Sequence, residues 1–139
     1  LDSYEVGTFT PVLGGAGGTS GQTYVASSQR GNYTKVGNLV HFSIFANLSA
    51  KGTITGDLEM SGLPFTAATL SGGSGSVIFS EVAGLTLTAA HNISGVVESN
   101  KTTILFREYD IAGGANSRLT TANISASPSM VVSGTYTTA

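Results

Sequence analysis

Residues 31–50 read GNYTKVGNLVHFSIFANLSA, and the fold class turns on this stretch. A run suited to strand reaches about Val36, Gly37-Asn38 supplies a pair that accepts the backbone of a two-residue hairpin turn, and a second run covers 39–49. The spacing predicts an antiparallel hairpin. Successive strand side chains point to opposite faces, so Val40, Phe42, Ile44, Ala46 and Leu48 share one face, and Leu39, His41, Ser43, Phe45 and Asn47 the other. The first face belongs in a core. The second still carries Leu39 and Phe45, and a single sandwich cannot bury both faces of one strand. Either a loop or a neighbouring subunit covers them, and the low charge of the chain suits a subunit.

Working outward, 139 residues suffice for one β core and not for two, so 1–139 is read as a single domain. Charged residues are 10% of the chain, against roughly 25% in an average domain. Neutral polarity comes instead from 18 Ser, 18 Thr and 19 Gly, which favour strands and turns over helices. The opening alternation of Val6, Thr8, Thr10 and Val12 predicts an edge strand in which Pro11 removes one ladder donor. A Gly/Ser-rich loop is expected over 14–28 with at most a short strand at 23–26, and a flexible connection over 67–76. Further strands are expected at 58–60, 76–82, 93–98 and 102–107, the last two joined by a tight turn at 99–101. A long loop over 108–129 then leads to a final strand at 130–138. No helix longer than a turn is expected. Similar segments LTLTAAHNIS (85–94) and LTTANIS (119–125) read as like lead-ins to two strands, too short for a repeat. Eight or nine short strands imply an all-β, antiparallel sandwich or jelly-roll-like fold.

A net charge of −2 with scattered basic residues gives no footprint for nucleic acid. No apolar run approaches the roughly 20 residues that span a bilayer, so no membrane insertion is expected. The first residues lack a signal-peptide pattern. Zero Cys excludes disulfides and thiolate metal sites. His41 and His91 stand 50 positions apart without metal-ligand spacing, so neither a metal nor a cofactor is expected. Five N-x-S/T triplets, from Asn32 to Asn123, are what a Ser/Thr-rich chain yields by chance. Two carboxylate pairs, Asp57 with Glu59 and Glu108 with Asp110, have the i, i+2 spacing that a strand needs to place both acids on one face, as in glycan cleavage. Solvated strand faces look the same, and no supporting partner accompanies either pair, so no catalytic residue is expected.

Four motifs lie in order along the chain. YEVGTFTP (4–11) resembles the Tyr-Glu-x-Gly-Thr-(Phe/Trp)-Thr-Pro signature near the start of C-terminal domains of tailed-phage tail fibres and tailspikes. GNYTKVGNLV (31–40), GDLEMSGLPF (56–65) and VVSGTYTTA (131–139) are similar to the Gly-x-Tyr-Thr-Lys, Gly-Leu-Pro-Phe and terminal Ser-Gly-Thr-Tyr stretches of that family. The resemblance implies a parallel homotrimer at the distal tip of a virion fibre or tailspike, binding a host cell-surface polysaccharide or lipopolysaccharide, assisting trimer folding, or both. Within it, Tyr4, Gly7, Thr8, Pro11, Tyr33, Gly37, Gly62, Pro64, Gly134 and Tyr136 read as structural. Candidate glycan contacts are Tyr24, Arg30, Arg107, Tyr109, Asp110, Asn116 and Arg118, since aromatic faces stack on sugars while Arg, Asn and Asp hydrogen-bond hydroxyls. The segment 107–118, with Gly113-Gly114 to turn it, is the favoured site. Leu39 and Phe45 are the expected trimer interface. A non-catalytic receptor-binding module, a folding cap without a ligand and, behind both, a polysaccharide-degrading enzyme remain the three readings.

Overall fold

The computed structural model describes residues 3–71 and 75–139; part of the expected flexible connection, 72–74, lies outside the described residues. Among the described residues ten strands follow one another: β1 (Tyr4–Phe9), β2 (Val12–Gly15), β3 (Thr23–Val36), β4 (Leu39–Ala50), β5 (Leu58–Ser61), β6 (Gly75–Leu85), β7 (His91–Val97), β8 (Ile104–Asp110), β9 (Asn116–Arg118) and β10 (Ile124–Thr137). The one helical element among the described residues is a single 3-10 turn, Thr121–Asn123, capped by Thr120.

All the strand pairings are antiparallel, in the order β1-β3-β4-β10-β6-β7-β8-β5-β2, with β9 on β8 beside β5. Only Thr10 and Pro11 separate β1 from β2, yet these strands stand at opposite ends of that order. The sheet must therefore curl until its ends meet. The fold is all-β and antiparallel as expected, and the two layers of the sandwich are two halves of one curled sheet. Here the expected single strand across Pro11 is corrected: Pro11, which has no N–H to give a ladder, falls at the corner where the chain passes from one edge to the other.

The inner faces meet in one core. Val40, Phe42, Ile44, Ala46 and Leu48 of β4 are all buried, as their alternation predicts, against Leu13, Leu58, Met60, Ile104, Phe106, Met130 and Val132. The β3–β4 hairpin closes with Val36 opposite Leu39, and Gly37 takes the positive φ of 60° that the turn requires.

Two expected loops are largely strand. Thr23 already belongs to β3, which carries a wide bulge: four residues, 25–28, stand between pairs that on β4 enclose Asn47 alone. Residues 16–18 instead hydrogen-bond across to Thr55 and Asp57. Likewise β8 runs on to Asp110, β9 folds back on it, and β10 begins at Ile124. Pro128 is tolerated because ladder pairing on β6 skips from Ile124 to Ser129.

The four motifs converge at one place on the curled sheet. Tyr33 lies over Gly7, its register partner, where a Cβ would come within 2.7 Å of the ring. Its ring meets Phe65 edge-on at 5.2 Å and 88°. The Tyr136 hydroxyl donates to the Phe65 carbonyl at 3.0 Å and accepts from the Phe65 N–H at 3.2 Å. Burial pushes the Tyr136 phenol up to about 12. Gly7, Tyr33, Phe65 and Tyr136 thus tie four distant segments into one junction, which gives these signature residues a structural role.

Candidate functional site

The alternation of β8 divides its residues between two environments. Ile104, Phe106 and Glu108 point inward, and Leu105, Arg107 and Tyr109 outward. Because β9 pairs with β8 as Arg118 opposite Arg107 and Asn116 opposite Tyr109, those two residues join the outward face. On the other side β7 adds Ser94 beside Arg107 and Asn92 beside Tyr109. Four of the seven candidate contacts, Arg107, Tyr109, Asn116 and Arg118, therefore occupy one small sheet surface. Tyr109 is 38% exposed there. Arg118 reaches the Asp57 carboxylate at 3.8 Å.

The other three candidates stand apart. Asp110 accepts the Ala112 N–H at 2.8 Å and shapes the tip of the β8–β9 hairpin, where Gly113 has a φ of 95°. Tyr24 accepts the Leu13 N–H at 2.9 Å, and burial raises its phenol above the ordinary value. Arg30 lies on β3 with its guanidinium 5.4 Å from the centre of the Phe45 ring. Asn92, Ser94 and Asp57 were not among the candidates. The alternation of 92–96 could have placed the first two on the outward face, whereas Asp57 arrives only through tertiary pairing.

Glu108 differs from its neighbours. It is buried on the inner face of β8 and accepts the Thr88 hydroxyl at 2.6 Å and the Thr88 N–H at 2.8 Å, with the Ser117 hydroxyl at 3.4 Å. The Thr88 hydroxyl first, then its N–H, hold the carboxyl below the usual value of 4.5, with smaller help from His91 and Ser117 against the cost of burial. Such a group stabilises the fold above the unfolded pKa and loses that contribution as pH falls through the lowered folded value. Glu108→Gln is accordingly expected to lower the urea midpoint at pH 7 and to flatten the loss of stability below about pH 4.5. An unchanged acid profile in this variant would remove Glu108 from the account.

The outer surface of β1, β3, β4, β10 and β6 is of another kind. Tyr4, Val6, Val36, Leu39 and Ile78 are exposed on it by 62%, 58%, 44%, 48% and 63%. Along its paired rows formal charge is confined to Arg30 and Glu81, which flank Phe45 and Val131. Strand β4 thus carries two large apolar residues, Leu39 and Phe45, on the face opposite its core residues. Leu39 is left open by the described residues, while Phe45 is half-covered beside Arg30.

No protein-family model matches the chain, and no curated protein matches it. Among solved structures it is similar to the Dettilon tailspike protein (gp208), with a TM-score of 0.78 and 25% identity over 96% of this chain and 24% of that one. This agrees with the resemblance carried by the four motifs, at the level of a tailspike-related domain. The chain is thus similar in fold and sequence, over nearly its whole length, to a stretch making up about a quarter of a phage tailspike.

Proposed function

We propose that this domain is a non-catalytic receptor-binding module, the C-terminal part of a tail fibre or tailspike, which forms a homotrimer at the virion tip and binds a host cell-surface polysaccharide or lipopolysaccharide. The observation that carries the reading is the gathering of Arg107, Tyr109, Asn116 and Arg118 on one outward face of a tailspike-related fold. A planar phenol beside guanidinium and amide donors can stack on a sugar ring while bonding its hydroxyls. A non-catalytic role is supported by one of the two carboxylate pairs: Glu108 is committed to Thr88 and Asp110 to its own turn. Trimer formation is supported by the open, charge-poor surface around Leu39. That surface also favours the second reading, a folding cap without a ligand.

Binding of the protein to host cells tests the first reading. Tyr109→Ala is expected to weaken it by about 1–3 kcal/mol, the loss of a stacked aromatic and its hydrogen bond, with the fold unchanged. Undiminished cell binding by the Arg107→Ala, Tyr109→Ala double variant would move the site to the segment 14–29 or favour the folding cap. Release of reducing ends from host polysaccharide would restore the enzyme.

A further inference from the structure

Two arginines sit directly opposite each other on the outward face of β8 and β9, an arrangement that costs stability unless something offsets it. Cross-strand partners hold their Cβ atoms about 4.5–5.5 Å apart, so the two side chains leave the sheet side by side. The acids that share this face offset the repulsion incompletely. Asp57 approaches Arg118 alone, at 3.8 Å to Nη1, and Glu59 stands in the row beyond, opposite Leu105. The Nε atoms of both Arg107 and Arg118 are buried and have no hydrogen-bond partner among the described residues. A buried N–H without an acceptor costs more than an ordinary hydrogen bond contributes. The two costs fall on the same pair of residues, and an oxyanion between them would relieve both.

We propose that Arg107 and Arg118 together hold the carboxylate of an acidic sugar, a uronate or similar residue of the host polysaccharide; this rests on the reading of the same face as the glycan site. A carboxylate is planar and carries two acceptor oxygens, which matches a guanidinium fork in a way a neutral hydroxyl does not. The flanking groups fit the remainder of such a residue. Tyr109 and Asn116 occupy the next row toward the hairpin tip, with Asn92 beside them on β7, so a ring whose acid lies between the arginines passes a phenol and two amides. Neutral sugar would use that row and leave both Nε–H groups unpaired.

The test follows the arginine Nε–H resonances of the intact domain by NMR during titration with sodium glucuronate, methyl glucuronate ester and inorganic phosphate. Saturable shifts at Arg107 and Arg118 are expected with glucuronate and not with the ester. Arg107→Gln, and also Arg107→Lys, should weaken glucuronate binding about tenfold or more, the scale of one charge-assisted hydrogen bond. Lysine keeps the charge and loses the fork, so a variant that binds normally would reduce the site to a general positive field and overturn the proposal. Equal binding of the ester, or shifts with phosphate alone, or no saturable shift, would overturn it as well. Cell binding separates this failure from that of the underlying reading. If Tyr109→Ala loses host cells while the Arg107→Gln, Arg118→Gln double variant keeps them, the face binds neutral glycan and only the acidic specificity falls. If both keep them, the glycan face falls too.

Discussion

Phe106→Ala is expected to lower the free energy of unfolding by about 3–5 kcal/mol, the usual cost of deleting a fully buried aromatic ring. The residue is 0% exposed on the inner face of β8, and its ring meets that of Phe79 on β6 at 5.3 Å and 61°. Strand β7 lies between them in the sheet. Its Gly95, register partner of both Phe106 and Val77, makes the approach possible, since a Cβ there would stand 3.0 Å from the Phe79 ring. The pair therefore reaches across a neighbouring strand and holds the curl of the sheet where it carries the candidate site. Domains of this size are stable by about 5–15 kcal/mol, so the substitution removes about a fifth of the total at the least. Urea denaturation of the variant beside Tyr109→Ala checks the assignment. The exposed-face substitution should change stability by no more than about 0.5 kcal/mol. A cost under about 1 kcal/mol for Phe106→Ala would mean that the β6 to β8 region packs loosely and that the core lies elsewhere.

The same contrast between local pattern and distant pairing decides how much could be read from the sequence. The β3–β4 hairpin was legible because all of its determinants are local: a two-residue turn at Gly37-Asn38 and an alternation that places Phe42 in and Phe45 out. Closure was not. Nothing in the alternation from Val6 to Leu13 says that the chain crosses from one sheet edge to the other at Pro11, because the partners of each half, Thr34 for Val6 and Met60 for Leu13, are tens of residues away. The segment 108–129 read as loop because Gly113, Gly114 and Pro128 are turn residues by propensity. Tertiary pairing overrode that at Asn116–Arg118 and over 124–129, the first part of β10. For the candidate site, composition singled out the segment 107–118, and parity alone separates Arg107 and Tyr109 from Asp110. What composition could not supply was the fold-back that sets Arg118 against Arg107.

Phe45→Asp is expected to convert the proposed trimer to monomer without unfolding it. The substitution falls on the outer face of β4, in a row formed by Arg30, Phe45, Val131 and Glu81, one residue out of phase with the core positions Ile44 and Ala46. An aspartate there is solvated in a free subunit, and Arg30 stands directly opposite to receive it. At a subunit interface it is buried, and a three-fold assembly buries three. Removing an ionised carboxylate from water costs several kcal/mol even after relaxation, which exceeds what an isolated contact returns. Leu39→Asp, three rows away and 48% exposed, tests the extent of the surface. Both variants should retain the far-UV circular dichroism of the parent while their mass in light scattering falls from three chains to one. The control is Val132→Asp on the inner face, where the same charge has no water in either state and should abolish folding. A Phe45→Asp protein that stays trimeric with undiminished stability would place the subunit contact elsewhere and leave the Leu39 surface free for another partner. A parent protein that is itself monomeric would leave Leu39 and Phe45 without the cover that a trimer supplies and overturn the assignment.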